Sequence, residues 1–349
     1  MKMLIKLRWF TAIAATCVSL FCHAYPGESI VRDPVTGDYT ITYWDDEEPG
    51  SLEQTTFVPA TKIIPTVRSK FRLEGTSSVV YSYTLANGAS AKQAIVGLIL
   101  EPIGRIANER DLPPVTAPAS EVENIIITNM AALNSPKDWG GNIVRIRGQS
   151  RIAWLAEDLE TDGVRSGRAM PGFGFSSSAL PGISTAKMEG KGAVFGYAGE
   201  GPAVDSAIYA ELGRLRKNDF IARPASAPMI VVPDPFNAAV LLDRIQTQMH
   251  SWIGMQLLDT SFSSQLDRYL TAAADAYRHN QPKAGKEHIQ TLRRMLKKEH
   301  EDADRDDEKE DGKAEGKNDD KNKRILIDRL AARVLDFDLK YVFKRMGDD

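Results

Sequence analysis

Ser176-Ser177-Ser178, close behind Pro171-Gly172-Phe173, is the run that could supply a nucleophile. Serine catalysis needs an imidazole base within hydrogen-bond reach, and an exposed serine elbow has the spacing Gly-x-Ser-x-Gly. Glycines do not flank these serines in that way, and His250, His279, His288 and His300 all lie in the C-terminal third. The serines therefore read as strand-end and turn hydroxyls. Carboxylate pairs for glycoside chemistry are offered by Glu157-Asp158 and by Asp45-Asp46-Glu47-Glu48. Adjacency in sequence does not place two carboxyls on opposite sides of a sugar. Glu157, Asp158, Glu160 and Asp162 read as a solvated strand-end loop.

Metal binding has two candidates. His279, His288 and His300 are nine and twelve residues apart, which does not stack them on one helix face, so they read as surface histidines. Asp302, Asp304 and Asp306 alternate like the first half of a calcium loop. Asp307 then stands where the turn glycine belongs and Lys313 where the bidentate glutamate belongs. No catalytic residue, cofactor or metal site is expected. The remaining candidates are aromatic: Tyr39, Tyr43 and Trp44 on one strand, or Tyr81 and Tyr83 on another, could form a platform that stacks on sugar rings. Residues two apart on a strand share a face, so Tyr39 with Tyr43, and Tyr81 with Tyr83, point the same way. Such a face can equally be the core.

These residues need elements to hold them. From Tyr39 to Tyr197 the pattern is β: Tyr39–Tyr43, Val79–Leu85, Asn142–Arg147, Arg151–Leu155 and Gly192–Tyr197 are short and rich in β-branched and aromatic residues. Asn87-Gly88 and Gly148-Gln149-Ser150 supply turns. This reads as an antiparallel β-sandwich of Ig-like or Greek-key type over 25–222, with Leu112–Pro118 as an internal loop. Trp154 and Trp252 read as core anchors. The prolines of 223–236 predict a semi-rigid linker.

Beyond it the period becomes helical. Val240, Leu241, Ile245, Met249, Trp252 and Ile253 recur at three and four residues, as do Phe262, Leu266, Tyr269, Leu270, Ala273 and Tyr277. Ile289, Leu292, Met295 and Leu296 continue the pattern, and Leu326, Leu330 and Val334 open a last stripe. Ser261 fits an N-cap, and Asn280-Gln281-Pro282 separates two helices. A small antiparallel helical bundle over 237–346 follows. Eighteen of the 25 residues from Glu299 to Lys323 are charged, which predicts a disordered acidic insert.

The N-terminus reads as an address. Lys2, Lys6 and Arg8 precede an uncharged stretch from Trp9 to Phe21, and Cys22-His23-Ala24 puts small residues where a signal peptidase cuts. A signal peptide over 1–24 follows, with an uncleaved anchor as the alternative, so the protein is secreted or periplasmic and the mature chain has no stable transmembrane segment. Neither Cys17 nor Cys22 follows the leucine-then-small pattern of a lipid attachment site. Both of the chain's cysteines are in this segment, so the mature chain has no thiol and must bury a core large enough to do without disulfides. After cleavage 41 Lys and Arg face 47 Asp and Glu, and the acidic insert alone carries the imbalance. A near-neutral remainder argues against nucleic acid as a partner.

Tyr81–Gly88 followed by Lys92–Ile95, and Met170–Ser177 with Leu180-Pro181-Gly182-Ile183, resemble strand-turn-strand units of secreted bacterial β-sandwich proteins. The stretch from Ala238 to Met346 is similar to the FIMAH-type helical domain, through Leu242-Asp243-Arg244-Ile245, Leu266–Ala273, Ala284–Leu292 and Ala331-Ala332. Leu292-Arg293-Arg294-Met295 stands where that family's naming motif belongs. The resemblances imply an exported, modular, non-catalytic protein. The leading expectation is a binding or structural module of the bacterial envelope or exterior, with a protein or glycan there as its partner. The alternatives are a carbohydrate-binding accessory or carbohydrate-active enzyme working on a sandwich face, and a self-assembling surface protein with an open edge strand.

Overall fold

The computed structural model describes residues 26–44, 51–103, 126–129, 133–146, 149–159, 162–191, 202, 206–310 and 325–347. The export segment 1–24, the acidic run 45–48, the loop at 112–118, the strand expected over 192–197 and the insert from 311 to 323 lie outside them. The described residues form three antiparallel sheets and five helices, and four of the helices follow the last strand.

Two compact units divide the chain: Met1–Val58 with Ala193–Asn218, and Pro59–Gly192 with Asp219–Asp349. In the first, β1 (Ser29–Arg32), β2 (Tyr39–Trp44) and β3 (Leu52–Phe57) form a meander. Helix α1 (Ala207–Lys217) is capped by the Ser206 hydroxyl, which accepts from the Tyr209 amide. Ile41, Phe57, Ile208 and Leu212 make a small buried cluster between strand and helix side chains.

The second unit holds two sheets. One has the order β13 (Ile221–Ile230), β12 (Leu180–Gly190), β6 (Ile95–Ile103), β10 (Gln149–Ala156), β9 (Trp139–Ile146) and β7 (Ile126–Asn129). The other has the order β4 (Pro65–Glu74), β5 (Ser78–Asn87), β11 (Ala169–Ser177) and β8 (Leu133–Asn134). Their apolar faces meet through aromatics. Tyr83 of β5 lies 5.9 Å from Trp154 of β10, and Phe173 of β11 lies 5.0 Å from Trp139 of β9. The alternation along β5, where Val79, Tyr81, Tyr83 and Leu85 are buried, is what period-two patterning produces.

The helices α2 (Ala238–Gly254), α3 (Thr260–Arg278), α4 (Pro282–Glu310) and α5 (Arg329–Arg345) pack in sequence order, and α5 returns to touch α2. Asn237, Asp259 and Asp328 cap α2, α3 and α5 through their side-chain oxygens. Asp259, rather than Ser261, is the α3 cap, and the Ser261 hydroxyl donates to its carboxylate. Both α2 and α5 also pack on β12 and β13, and the buried residues of strands and helices form one continuous hydrophobic cluster.

That continuity corrects the expected division into a sandwich over 25–222 and a separate bundle. The expected linker over 223–236 is for the most part β13. Its Pro224 and Pro228 are tolerated because β13 is an edge strand, where a missing N–H costs no ladder bond. Within the acidic insert expected over 299–323, α4 extends to Glu310, and 311–323 lies outside the described residues. Glu, Lys, Arg and Ala are good helix formers, Glu301 and Arg305 stand at i and i+4, and the first glycine comes at 312.

Within the shared cluster one group is out of place. Asp338, on the buried face of α5, is fully buried, and neither carboxylate oxygen has a hydrogen-bond partner. Burial raises its carboxyl pKa well above the usual range, which favours the neutral form in the folded protein. The unfolded chain ionises it from about pH 4, so its cost to stability grows as pH rises from there toward the folded pKa. Asp338→Asn, which cannot ionise, is therefore expected to gain stability relative to the unaltered chain as pH rises from 4 to 7. Chemical denaturation at pH 4 and at pH 7 checks this, because the gain should fade at the lower value. A second expectation follows from the shared cluster. A chain ending at Val232 would expose the strand surface that α2 and α5 cover, so it should fail to give a cooperative thermal transition by circular dichroism.

Candidate functional site

The strip expected from Tyr81 and Tyr83 is not on a surface. Tyr81 and Tyr83 are buried in the second unit, where their hydroxyls donate to the carbonyls of Ala179 and Ser226 at 2.9 and 2.8 Å. Burial pushes both phenol pKa values well up, with Tyr83 and Asp338 adding to the shift at Tyr81. In the first unit, Tyr39 and Tyr43 pack partly against the Ile41 cluster, and the Tyr39 ring lies 6.0 Å from Phe57. Trp44 is on the opposite face of β2 and donates its indole N–H to Pro26 at 2.9 Å. In each case the large ring side chains serve local packing rather than a common surface.

The other candidates are similarly occupied. The Ser177 hydroxyl is buried and accepts from the Ala179 amide in the turn between β11 and β12. The Asp162 carboxylate accepts from the Asp158 amide, closing the loop after β10. His250 pairs with Asp267 at 2.7 Å and His279 contacts the Asp275 carbonyl, while His288 lies beside the Tyr269 ring. Among the described residues no three His, Cys, Asp or Glu side chains come together in a metal-holding group. No described helix is long and apolar enough to cross a membrane.

What the structure brings together instead is a basic cleft. On α4, Gln290, Arg293, Arg294 and Lys297 recur at three and four residues, and on α5 Arg333, Asp336, Phe337 and Lys340 do the same. Such spacing puts each set on one helix face. Because α4 packs on α5, the two faces bound a cleft of about 800 Å³, with Phe71 of β4 at its side. Phe71 meets Phe337 edge to face at 5.1 Å, and the Arg333 guanidinium lies 5.6 Å from the Phe71 ring centre. That cation–π contact and the two rings brace the base of the cleft.

Asp336 is the one carboxylate in the lining, and it accepts from Arg293 Nε at 2.7 Å. This pair ties α4 to α5 and accounts for one of the five lining cations. Arg294, Lys297, Arg333 and Lys340 are exposed to solvent. The Arg294 guanidinium is steadied on its own helix by Thr291 Oγ1 at 3.1 Å. The cleft is thus a partly apolar depression with several cations around it, suited to a ligand that carries negative charge.

A second charged group contrasts with it. On the solvent-facing side of the six-stranded sheet, Glu101 of β6 pairs with Lys187 of β12 and with Arg151 of β10 at 3.4 Å. Lys187 also lies 4.4 Å from the Phe220 ring centre. Glu189 next along β12 has a raised pKa, from burial first and then from Asp219. Charges of both signs are paired here, so the cluster offers no net field for a ligand.

The chain matches no family model, no curated protein and no solved structure.

The cations of the cleft stand on exposed helix positions, so folding should not depend on them. Arg294→Glu, Arg333→Glu and Lys340→Glu, alone or combined, are expected to cost no more than about 1 kcal/mol. The thermal midpoint by circular dichroism should stay within a few degrees of the unaltered chain.

Proposed function

We propose that this is an exported, non-catalytic binding protein that holds an anionic partner in the cleft between α4 and α5. The observation that carries the reading is the convergence of Arg293, Arg294, Lys297, Arg333 and Lys340 on one depression that contains a single carboxylate. Export rests on the layout of residues 1–24, which places the mature N-terminus at Tyr25 and the protein in the periplasm or outside the cell. In this reading the two facing sheets are a Greek-key sandwich. The four C-terminal helices are a small bundle of the FIMAH-like kind that provides the binding face. The carbohydrate alternative loses its aromatic strip, because Tyr81 and Tyr83 are inside. An acidic glycan remains within reach of the cleft's chemistry.

Calorimetric titration with polyglutamate and with polygalacturonate, against neutral dextran, tests the proposal. Binding of at least one polyanion that weakens steeply with salt is the expected result, with no heat from dextran. Combining Arg294→Glu, Arg333→Glu and Lys340→Glu should reduce affinity at least about tenfold, and Asp336→Asn should raise it by about two- to threefold. Equal affinity of the triple variant and the unaltered chain for every polyanion would overturn the assignment to this cleft.

A further inference from the structure

We infer that the anionic partner of the cleft is the acidic end of α4 in a second copy of this chain; this rests on the reading of the cleft as an anion site. Helix α4 is divided by charge. Pro282–Lys298 carries six Lys and Arg against one carboxylate, whereas Glu299–Glu310 carries eight carboxylates against two Lys and Arg. The basic half supplies Arg293, Arg294 and Lys297 to the cleft. The acidic half is the longest stretch rich in negative charge in the chain, with eight carboxylates in twelve residues. One molecule therefore holds both a cationic depression and a matching anionic segment.

The segment cannot serve its own cleft. Both lie on one unbroken helix that rises about 1.5 Å per residue, so Asp302 to Glu310 sit roughly 8–20 Å beyond Lys297 along the same axis. A continuous helix does not fold back on its preceding turns. The residues that lead on to α5, 311–324, carry four carboxylates against five Lys and Arg, so they have no negative surplus to offer. The course of α4 thus carries most of the acidic half away from its own cleft.

Antiparallel pairing of two α4 helices satisfies both copies at once. The change of sign falls near Lys298, and a two-fold axis there sets each basic half beside the other copy's acidic half. Such an interface is isologous and closes as a dimer, without propagating into a filament.

Charge reversal on each side tests this on the full mature chain by sedimentation velocity. The unaltered protein should sediment as a dimer at low salt and as a monomer at high salt. A cleft variant (Arg294→Glu, Arg333→Glu, Lys340→Glu) and a tail variant (Asp302→Lys, Asp304→Lys, Asp306→Lys) should each be monomeric, with association weakened at least about tenfold. Mixed one to one they should form a heterodimer, because each cleft then meets a tail of opposite sign. Monomeric behaviour of the unaltered chain at low salt, persistence of dimers in both variants, or failure of the mixture to associate would overturn the inference. If the unaltered chain is monomeric yet binds polyglutamate through the cleft, self-association fails and the anion site stands. If it does neither, both readings fall.

Discussion

Everything in the larger unit depends on the seating of α5 against the strands. Its inner face buries Ala331, Val334, Leu335, Leu339 and Val342 in the same cluster that contains Leu98, Trp154 and Ile183 from the sheets. Helix α2 joins it, with Gln248 donating to the Ile183 carbonyl at 3.3 Å. Phe337 reaches Phe71 on β4, and Asp338 comes within electrostatic range of Tyr81 on β5. Burial of this kind stabilises by about 25 cal/mol for each Å² of apolar surface removed from water. Neither the strands nor the helices could leave that surface exposed and remain soluble. The helices are accordingly part of the core and not an appendage.

A buried carboxyl in such a place is unusual, because an unpaired polar group in the interior costs free energy that an apolar side chain would not. Burial raises the Asp338 pKa and so favours the uncharged carboxyl, whose oxygens remain unpartnered. The two buried tyrosines nearby are treated differently: each hydroxyl has a backbone carbonyl to donate to. The tyrosine hydroxyls are therefore satisfied, whereas Ser226 Oγ on β13 and the Asp338 carboxyl on α5 are not. Helix backbone carbonyls are already used by their own i+4 amides, so a side chain such as Asp338 finds fewer partners there.

The helices were legible in the sequence because stripes such as Leu266, Leu270, Ala273 and Tyr277 repeat with a helical period whatever lies beside them. Strand β5 was legible for the corresponding reason at period two. Strand β13 was not, because Pro224 and Pro228 look like linker residues until the sheet order shows that β13 is an edge. The acidic end of α4 has no apolar stripe to mark it as helix, so its composition alone suggests disorder. The cleft left a faint trace in Arg293, Arg294, Lys297 and Lys298. Net charge concealed it, since the neighbouring acidic run balances those cations in the sequence total. Its other wall, from Phe71 to Lys340, joins residues far apart in the chain, and no local pattern can report that.

The same helical period that builds the core also builds the cleft. On α5, Val334, Leu335, Asp338 and Val342 face inward, and Arg333, Asp336, Phe337 and Lys340 occupy the remaining positions of the same turns. A side chain cannot be moved between these sets without rotating the helix, and rotation would bring Asp338 out and drive Arg333 or Lys340 toward the apolar interior. Burying an unpaired cation costs several kcal/mol, so the seating of α5 fixes the cleft's cations toward solvent. The basic face is thus not an independent ornament on the helix. It is the obligatory outer side of the element on which the core depends, held in place by packing that no ligand has to supply.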